Sequence, residues 1–403
     1  MYKESLRVEC CGCEACRNVC PKQAITMNKD KKGFLYPFID RNKCNNCGLC
    51  IKICDFKLKS LSGKSTPSVY AVYNKDENQL LISSSGGAFS AMAKWTLDNN
   101  GVVFGCAWDE NFEPKHMAVT DVSELKKLQG SKYVQSRIGD SYKQVKYYLD
   151  EGKYVLFSGT PCQCAGLRSY LHKEYDKLIC VELVCHGVPS SQFFVDYINL
   201  LEKKLKGKIL DFNFRDKKHG WGMLIHIKYK DKNGCEKHKF LSKDESYYYY
   251  YYLNGFFLRE ACYSCKYSCL NRESDFTIGD YWGVNVVHPE IKTSNGISLL
   301  LVNTSKGQRF LRKFSNYMFV THSNIEFAIK ENGQLVLPSV KKDEVDILWD
   351  IYLTGGAEAV QNYFIYNHIK CIVIGRIKRK MPLFIRDFFN GIFKLIRKGV
   401  KHK

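Results

Sequence analysis

The chain has 403 residues, 45% of them hydrophobic, and a formal net charge of +20, which allows two or three domains with a substantial core. Its 19 cysteines are too many for packing alone, and the N-terminus MYKESLRVECC lacks the apolar stretch of a signal peptide. We therefore expect a reducing, cytoplasmic compartment, where clustered cysteines are more often metal ligands than disulfides. No run approaches the roughly 20 apolar residues that a spanning helix needs, which argues against an integral membrane protein.

The positive charge is concentrated near one end of the chain. Residues 367–403 hold 11 Lys and Arg against one acid, Asp387, and so carry about half of the excess. A basic tail attracts phosphate without sequence preference. Charge alone is thus a weak argument for nucleic-acid binding, and we predict no nucleic-acid partner.

The first sixty residues contain the spacing C-x2-C-x2-C-x3-C twice. Each cysteine of the second copy lies 34 residues after its counterpart in the first. The two copies are Cys10, Cys13, Cys16 and Cys20, followed by Cys44, Cys47, Cys50 and Cys54. This duplication resembles a two-cluster, bacterial-type ferredoxin domain over residues 1–58, in which three thiolates bind one cubane and the fourth cysteine reaches the other.

The repeat therefore predicts two crossed ligand sets for [4Fe-4S] clusters. The first set is Cys10, Cys13, Cys16 and Cys54, and the second is Cys44, Cys47, Cys50 and Cys20. Two zinc knuckles are the alternative, but zinc gives no reason for duplicated triads plus one cysteine. Cys11 fits neither register and is expected to be a bystander. Asp55 stands where Pro21 follows the first copy, which weakens the expectation that this cluster is shielded from solvent.

Beyond the repeat, short apolar segments alternate with amphipathic ones. GVVFGCAW, KYVLFSGTP and KLICVELV are typical of strands, whereas SYKQVKYYLDEG and SQFFVDYINLLEKKL are typical of helices. The alternation predicts an α/β region with helices on a sheet, and the whole chain a multidomain α+β and α/β fold. The predicted segments are a ferredoxin-like domain at 1–58, a polar linker at 59–79, α/β regions at 80–175 and 176–345, and a basic amphipathic tail at 346–403.

Two local patterns add detail to this outline. The sequence GMLIHIKYKDKNGCEKHKFL predicts a hairpin that turns at residues 232–234. The six consecutive tyrosines at 247–252 predict an ordinary helix packed on one side.

Three sequences place small residues between an apolar segment and a helix. In SSSGGAF, Ser85–Gly87 would let backbone N–H groups approach a phosphate, although a flexible hinge has the same pattern. In LFSGTPCQCAG, Cys162 opens a helix, where a thiol has a lowered pKa and suits a metal ligand or a reactive cysteine. A buried bystander is the alternative there. VCHGVPS adds Cys185 and His186 at another strand end.

The order of the motifs resembles the β-subunit family of coenzyme F420 hydrogenases and dehydrogenases. SSSGGAF, GSKYVQS, FSGTPCQ, VELVCHGVPS, CYSC and RESDFTIGDYWG follow one another within about residues 80–345. Members also occur in bacteria beside surface-polysaccharide genes, often with an N-terminal two-cluster ferredoxin domain. The resemblance implies an α/β flavin-binding domain with bound FAD, a nearby [4Fe-4S] cluster, and electron exchange with a deazaflavin, a ferredoxin or another partner.

Some residues carry over from the family by position, and others depart from it. The positions that resemble the FAD site are Ser85, Gly86, Gly87, Lys132, Tyr133, Thr160 and Gln163. Cys164 and Cys269 are additional cysteines that blur which thiols are ligands. In RESDFTIGDYWG, Arg272, Asp275 and Asp280 suit either a structural salt-bridge set, with Trp282 in the core, or a direct role at the flavin edge.

The CYSC sequence at residues 262–265 indicates a third metal site. With Cys235 and His238 it could bind zinc, but residues i and i+3 of a strand point to opposite faces, which disfavours a shared ion. Cys162 and Cys185 instead lie at strand ends, where α/β folds place ligands. We therefore predict a third [4Fe-4S] cluster, with packing alone as the alternative and Cys269 as a reserve ligand. The proposed ligands are Cys162, Cys185, Cys262 and Cys265.

Taken together, these patterns predict an iron–sulfur flavoprotein oxidoreductase. We recognise no nucleophile–His–acid constellation, Walker loop or paired catalytic carboxylates in the sequence. Electrons would pass between the clusters and FAD to a small acceptor such as coenzyme F420, with a ferredoxin or other redox protein as partner. His186 is the candidate proton donor near the flavin, and a structural histidine is the alternative. A second possibility is an electron-transfer subunit that serves a separate enzyme of surface-polysaccharide biosynthesis.

The sequence PLFIRDFFNGIFKLIRKGVKHK near the end of the chain predicts an interfacial helix. Its apolar face holds Ile385, Phe388, Phe389, Ile392 and Ile396, and its polar face Arg386, Asn390, Lys394, Arg397 and Lys398. This pattern is typical of a helix that lies on anionic lipid. We expect peripheral contact with the inner face of a membrane, and docking on the protein's own domain is the alternative.

Overall fold

The computed structural model describes residues 8–54 and 66–380. Residues 8–54 hold α1 (Ala15–Val19), the antiparallel strands β1 (Ile25–Lys29) and β2 (Leu35–Ile39), and α2 (Leu49–Lys52). Each helix is one short turn that follows a residue with positive φ, Glu14 or Gly48. The positive φ of these residues turns the chain sharply into each helix, so the cysteines of each copy lie around a short, tightly turned segment.

An eight-stranded mixed sheet forms the body of the protein. Its strands are β3 (Ser68–Asn74), β4 (Val102–Trp108), β5 (Pro114–Val119), β6 (Val155–Gly159), β7 (Leu178–Leu183), β11 (Phe276–Asp280), β12 (Ser298–Val302) and β13 (Met318–His322). Their spatial order is β13-β3-β12-β11-β7-β6-β4-β5. The four strands β11, β7, β6 and β4 are mutually parallel, and the flanking pairs are antiparallel. A second, antiparallel sheet contains β8 (Gly207–Asp216), β9 (Leu224–Asp231) and β10 (Glu236–Ser242).

Helices cover both faces of the large sheet. The remaining helices are α3 (Glu77–Ile82), α4 (Ala88–Asp98), α5 (Ser141–Asp150), α6 (Pro161–Leu171), α7 (Ser191–Leu205), α8 (Tyr247–Leu253), α9 (Ser305–Phe314), α10 (Ile325–Glu331) and α11 (Glu344–Lys380). One face packs against α4 and α9, where Trp95 meets Phe310 and Phe314 edge to face. The other packs against α5 and α6, together with Ala15 and Ile53 of the N-terminal segment.

The central parallel strands are apolar on both faces, as strands covered by helices must be. Val103, Leu156 and Ile179 belong to the core on the α4 side, and their neighbours Phe104 and Phe157 belong to the core on the α5 side. Because successive side chains of a strand point to opposite faces, this alternation fixes the register of the sheet. It confirms the α/β region that the sequence predicts.

A large aromatic core joins the second sheet to α7, α8 and α11. The predicted hairpin is present, with β9 and β10 paired antiparallel around Gly234, whose φ is +78°. The tyrosine run forms α8, and all of its tyrosines except Tyr250 are buried. Their rings pack against Phe193, Phe214 and Phe257, so the run is a core helix packed on several sides.

The described residues divide the chain differently from the predicted segments. Part of the predicted linker, 59–79, forms β3, which lies inside the sheet between β13 and β12. Val69, Ala71 and Val72 are buried there. The strand was not recognised in the sequence because it is short and follows a polar stretch. The boundary predicted between 175 and 176 falls inside the same sheet, between β6 and β7.

The region predicted as a tail also contributes to the core. Within α11, Leu348, Trp349 and Tyr352 are buried, so residues 344–380 are part of the packed structure. The predicted interfacial segment, residues 382–403, lies outside the described residues. No described helix is long and apolar enough to cross a membrane.

Candidate functional site

The second predicted ferredoxin set is brought together by the fold. Burial raises the pKa of the Cys50 thiol, and its neighbours Cys20, Cys44 and Cys47 add to the rise. Cys20 belongs to the first copy of the repeat. These four thiols are therefore near one another, as the second predicted set requires, and their assignment as cluster ligands stays a prediction.

Of the first predicted set, Cys10 and Cys13 face the body of the protein. The Cys13 side chain lies against α6, where a Cβ atom on Gly166 would stand 3.1 Å from Cys13 Sγ. Cys10 lies beside Arg259, whose Nη2 is 3.7 Å from Cys10 Sγ. Cys16 and Cys54 are both half-buried, and Ile53 packs in the same core as Ala15.

Glu14 attaches the N-terminal segment to the body through a buried carboxylate. It accepts hydrogen bonds from the backbone N–H groups of Ile138, at 2.9 Å, and Gly139, at 3.2 Å. Asn18 donates to the Gly139 carbonyl at 2.9 Å. Burial raises the pKa of Glu14, while the hydrogen bond from Ile138 opposes the rise. Sequence reasoning missed this contact, because a single Glu between two cysteines resembles a solvated charge.

Five thiols line one pocket at the edge of the large sheet. The pocket is partly open to solvent and includes every ligand predicted for a third cluster. Its cysteines are Cys11, Cys162, Cys185, Cys262 and Cys265. The structure thus brings together thiols that are up to 103 residues apart between Cys162 and Cys265, and it adds one that the sequence had set aside.

Chain topology explains why these thiols meet. Cys162 is the second residue of α6, directly after β6, and Cys185 follows β7 by two residues. Because β6 and β7 are adjacent and parallel, their carboxyl ends lie at one edge of the sheet. Residues 258–267 run past that edge, where Leu258 forms an isolated bridge with Pro189.

Cys11 connects this pocket to the first ferredoxin set. Hydrogen bonds with Cys13 and Cys162, followed by burial, raise the pKa of the Cys11 thiol. The same contact with Cys11 lowers the pKa of Cys162 to about 7, and the Thr160 hydroxyl and the Arg259 guanidinium act in the same direction. Cys11 is therefore not a bystander, because its thiol lies between Cys13 of the first ferredoxin set and Cys162 of the pocket.

Two buried N–H groups also belong to the pocket lining. The Gln334 amide lies 3.2 Å from His186 Nδ1; as donor, it leaves the proton of the neutral ring on Nε2. His186 Nε2 and Arg272 Nε are both buried without a hydrogen-bond partner among the described residues. Burial lowers the pKa of His186, so the ring is neutral near pH 7. Thiolates with unused N–H donors around them suit a [4Fe-4S] cluster, whose sulfur atoms accept such bonds.

The zinc alternative for this site is not supported. Cys235 is exposed in the β9–β10 turn, and His238 Nδ1 lies 2.8 Å from His226 Nε2. Neither lines the thiol pocket. Within residues 8–54 and 66–380, no group of three or more His, Cys, Asp or Glu has the spacing for a single metal ion. A cubane differs from a single ion because each thiolate binds a separate iron.

The two additional cysteines lie outside the pocket lining. Cys164 is buried in the core, and its Sγ is 3.7 Å from the Val181 carbonyl oxygen. Cys269 Sγ is 3.3 Å from the Asn271 carbonyl oxygen. Neither side chain is placed to replace one of the four proposed ligands.

The predicted phosphate loop, Ser85–Gly87, crosses the edge of the large sheet. Gly86 is pressed against the sheet, since a Cβ atom there would stand 2.4 Å from both Ser298 N and Val72 O. Gly87 has φ +77° and begins α4. The Ser85 hydroxyl donates to the Ile297 carbonyl at 2.9 Å. These contacts give each residue a structural role whether or not a phosphate binds.

Lys132 and Tyr133 lie near the same loop, where Tyr133 contacts the buried Arg215. Arg215 donates to the Tyr133 hydroxyl at 2.9 Å, to the Ser84 carbonyl at 3.2 Å and to Asp280. Lys132 is half-buried, and its Nζ donates to the Gln129 and Gly130 carbonyls. The Lys132 pKa is lowered by burial.

Asp280 and Trp282 of the RESDFTIGDYWG motif belong to this second group. Trp221 donates its indole N–H to Asp280, and its ring stacks on Trp282 at 4.5 Å with an interplanar angle of 5°. Arg215 lies 5.4 Å above the Trp282 ring. The other acidic residue, Asp275, is fully buried and accepts from the backbone N–H of Cys180. The motif is thus divided between the core and the edge of the sheet.

The last two predicted flavin residues lie at the start of α6. Thr160 and Gln163 form a capping box, in which each side chain bonds the other's backbone. Gln163 also donates to the Ser136 carbonyl at 3.1 Å. Thr160 lines the thiol pocket. The seven predicted flavin residues therefore fall into two groups, one at the sheet edge near Arg215 and one beside the thiols.

Comparison with known proteins defines the class to which this arrangement belongs. Residues 152–326 match the family described as the C terminus of the coenzyme F420 hydrogenase/dehydrogenase beta subunit. Residues 9–58 match the 4Fe-4S dicluster domain. The chain thus contains a region similar to the C terminus of that beta subunit and a 4Fe-4S dicluster domain, a combination typical of an iron–sulfur component of an oxidoreductase.

Three individual relatives are similar to parts of the chain. Coenzyme F420-dependent sulfite reductase of Methanocaldococcus jannaschii is 26% identical over 309 residues, which is 74% of this chain and 45% of that protein. A subunit of the F(420)H(2) dehydrogenase of Methanosarcina mazei is 24% identical over 200 residues, 44% of this chain and 55% of that protein. An uncharacterized ferredoxin of Methanocaldococcus jannaschii is 40% identical over 48 residues, 12% of this chain and 61% of that protein. The chain thus spans about half the length of the first two relatives.

A solved structure is also similar. A chain of the F420-reducing [NiFe] hydrogenase complex from Methanosarcina barkeri aligns with 75% of this chain and 91% of its own length. The TM-score is 0.42 and the sequence identity is 14%.

Proposed function

We propose that this protein passes electrons between its two ferredoxin clusters, a third [4Fe-4S] cluster in the thiol pocket, and FAD, in order to reduce or oxidise a small acceptor. Coenzyme F420 is the first acceptor to test, since the names of two relatives contain it. The observation that carries the proposal is the pocket in which Cys162, Cys185, Cys262 and Cys265 meet.

The third cluster would be held by these four thiols and would supply one-electron transfer. The chain contributes the surroundings that adjust this chemistry. The backbone N–H of Gly187 lies 3.4 Å from Cys185 Sγ, and His186 and Arg272 also line the pocket. Donors to sulfur and burial both change the potential of a cluster. His186, predicted from the sequence as a proton donor near the flavin, lines the same pocket.

FAD is the second cofactor of the proposal, and it would couple one-electron transfer to hydride chemistry. Its predicted residues are Ser85, Gly86, Gly87, Lys132, Tyr133, Thr160 and Gln163. The start of α4 at Gly87 offers backbone N–H groups for a phosphate. The Trp221–Trp282 pair beside Arg215 offers an aromatic surface near the same loop.

Iron analysis of protein loaded with iron and sulfide without oxygen tests the third cluster. Three cubanes hold about twelve irons, and the ferredoxin domain alone holds about eight. Full-length protein should approach the larger count, and Cys185→Ser or Cys262→Ser should lose about four irons. Cys269→Ser, whose thiol is outside the pocket lining, is the matched control and should keep the full count. A wild-type count near eight contradicts the third cluster.

Extraction of the same preparation tests the flavin separately. One FAD per chain is expected, and its release on acid treatment should not depend on Cys269→Ser. Protein with a full iron count but no extractable flavin would contradict the FAD part of the proposal and leave the clusters in place.

An electron-transfer subunit is the second candidate function. This role is favoured because the chain covers only about half the length of two relatives, and one of these relatives is named as a dehydrogenase subunit. A separate enzyme, which the sequence resemblance relates to surface-polysaccharide synthesis, would then complete the reaction. Reduced ferredoxin should bleach the flavin absorbance in either case. Turnover of coenzyme F420 by the isolated protein supports the enzyme, and turnover only after a partner is added supports the electron-transfer role.

Peripheral contact with an anionic membrane is the third part of the proposal. In the last part of α11, Ile369, Val373 and Ile377 are exposed on one face. The opposite face packs on the body, with Ile372 buried and Arg379 paired with Glu245 at 2.8 Å. Lys370 and Lys380 are exposed near the apolar face, which suits an anionic surface.

Flotation with vesicles of anionic phospholipid tests this contact. Val373→Asp/Ile377→Asp in the full chain should reduce recovery with the vesicles, and a chain ending near Tyr366 should not float. Ile347→Asp, at an exposed position before the non-helical residue Gly356, is the control. Equal recovery of all four proteins would remove the membrane contact.

A further inference from the structure

Arg259 is a fully buried cation that belongs to two parts of the molecule at once. Its backbone lies in the wall of the thiol pocket, where its N–H donates to the Val188 carbonyl and its carbonyl accepts from the N–H of Cys262, each at 2.9 Å. Its side chain leaves the wall and enters the N-terminal ferredoxin segment. The side chain is fully covered, with 0% of the residue exposed.

Every hydrogen bond that the guanidinium makes to oxygen is to a neutral group. Nε donates to the Cys10 carbonyl at 2.6 Å, Nη2 to the Leu35 carbonyl at 2.8 Å, and Nη1 to Gln135 Oε1 at 2.8 Å. The ring of Tyr36 lies 4.2 Å from the guanidinium carbon. Among the residues that the structure describes, no Asp or Glu forms an ion pair with Arg259.

A buried charge without a counter-charge is strongly unfavourable, so an anion is expected beside it. The candidates are thiolates: Cys10 Sγ is 3.7 Å from Nη2, and Cys262 is three residues further along the chain. Gly12 is shaped around the same group, because a Cβ atom there would stand 2.9 Å from Arg259 Nη1. The N-terminal loop is therefore fitted to the guanidinium.

We propose that Arg259 is the shared positive charge of the two neighbouring cluster sites, and that it raises the reduction potential of the ferredoxin cluster at Cys10. This inference rests on the proposed function in that the thiols must hold clusters. A cluster bound by four thiolates gains one negative charge when it is reduced. A fixed cation nearby stabilises the reduced form more than the oxidised form, and net charge is one of the factors that set cluster potentials.

The position of Arg259 gives this effect a direction. The second ferredoxin set, Cys44, Cys47, Cys50 and Cys20, includes the exposed Cys47, and no hydrogen bond joins it to Arg259 among the described residues. Arg259 should therefore raise the potential of the first cluster relative to the second. An electron entering the ferredoxin domain is then drawn toward the side that contacts the thiol pocket through Cys11.

Redox titration of the holoprotein, followed by electron paramagnetic resonance, tests the inference without relying on turnover. Dithionite supplies one electron per cluster, and no bond forms or breaks. Arg259→Gln should lower the first-cluster potential and leave the second unchanged. We expect the equilibrium constant for sharing an electron between the two clusters to change about tenfold or more, which corresponds to about 59 mV for one electron.

Two further variants keep the test decisive if Arg259→Gln fails to load its clusters. Arg259→Lys keeps the charge, and its potential should lie closer to wild type than that of Arg259→Gln. Gln135→Glu preserves shape but places a carboxylate on Nη1, so it should lower the first-cluster potential as charge removal does. Arg309→Gln, at an exposed arginine, is the control and should change nothing.

The outcomes separate this inference from the proposed function. A wild-type iron count near eight would refute the third cluster, yet the effect of Arg259 on the ferredoxin cluster could still be measured. Unchanged first-cluster potentials in both Arg259→Gln and Gln135→Glu would overturn the role of the charge. Equal shifts of both ferredoxin clusters would overturn it as well, because the effect would then not be local.

Discussion

Replacing Arg272 by methionine should strongly destabilise the centre of the large sheet. Arg272 Nη1 lies 3.0 Å from Glu182 Oε1, and the two side chains are 2% and 1% exposed. Arg272 also donates to the Tyr267 carbonyl at 3.0 Å and to the Leu335 carbonyl at 3.1 Å. Without the guanidinium, Glu182 would keep only polar donors such as Thr277, whose hydroxyl is 3.1 Å away.

The expected size of the loss follows from this burial. Breaking a buried ion pair by removing one partner typically costs about 3–5 kcal/mol, because the other charge is left uncompensated. Burial already raises the pKa of Glu182, and the charge of Arg272 opposes that rise. We therefore expect Arg272→Met to lose about 3–5 kcal/mol of unfolding free energy, and Arg272→Met combined with Glu182→Gln to lose less.

Urea unfolding of the holoprotein, followed by far-ultraviolet circular dichroism, measures the effect as a shift of the midpoint. Arg309→Met is the matched control, because Arg309 pairs with Asp176 and both side chains are largely exposed. An exposed pair contributes at most about 1 kcal/mol. If Arg272→Met unfolds at the same urea concentration as Arg309→Met, the reasoning is refuted. The reasoning is also refuted if the double variant loses as much unfolding free energy as the sum of the losses of Arg272→Met and Glu182→Gln alone, since a coupled pair must be non-additive.

Three other changes test separate parts of the structure. Gly86→Ala should destabilise the protein in thermal unfolding far more than Gly222→Ala, because its Cβ would meet the backbone of Ser298 and Val72 at 2.4 Å, while nothing lies within 4 Å of Gly222. Burial lowers the pKa of His116 from 6.5 to about 4. The contribution of the neutral ring to the free energy of unfolding is therefore fully present above pH 6.5 and is lost as the pH falls toward 4. The loss amounts to about 3 kcal/mol, and it should be absent from the pH profile of His116→Gln; parallel profiles would contradict this. Cys235→Ser should leave the iron and zinc contents unchanged, and loss of metal would revive a site at the β9–β10 turn.

Sequence patterns predicted those parts of the site in which spacing is itself the signal. Cys10 to Cys54 repeat at a fixed interval, and the fold places Cys20 with Cys44, Cys47 and Cys50 as the repeat requires. For Cys162 and Cys185 the prediction used a topological rule, that parallel strands end at one edge of a sheet. Cys262 and Cys265 were predicted from the CYSC sequence instead, and the fold brings all four thiols to one pocket.

Other parts of the site could not be predicted, because they depend on contacts between distant segments. Arg259 stands three residues before Cys262 and has no motif of its own, yet it bonds to Cys10, 249 residues away. Glu14 and Cys11 also make contacts with distant residues, and no local motif marks them. The strand β3 was missed for a different reason, since Ser68–Asn74 pairs with β12 and β13, which follow it by more than 200 residues. Local composition carries no information about such partners.

The contacts of the N-terminal segment also determine when it can take its place during folding. Its hairpin of β1 and β2 is local and can close as soon as it leaves the ribosome, but its bonds to the body span 124 residues to Gln135 and 249 to Arg259. Contacts of such separation form late, because the entropy of closing long loops must be met first. The segment around Cys10 and Cys13 thus docks late in folding. Before it docks, the surface around Cys10 and Cys13, which is half-buried in the folded protein, is open to the proteins that deliver iron and sulfide.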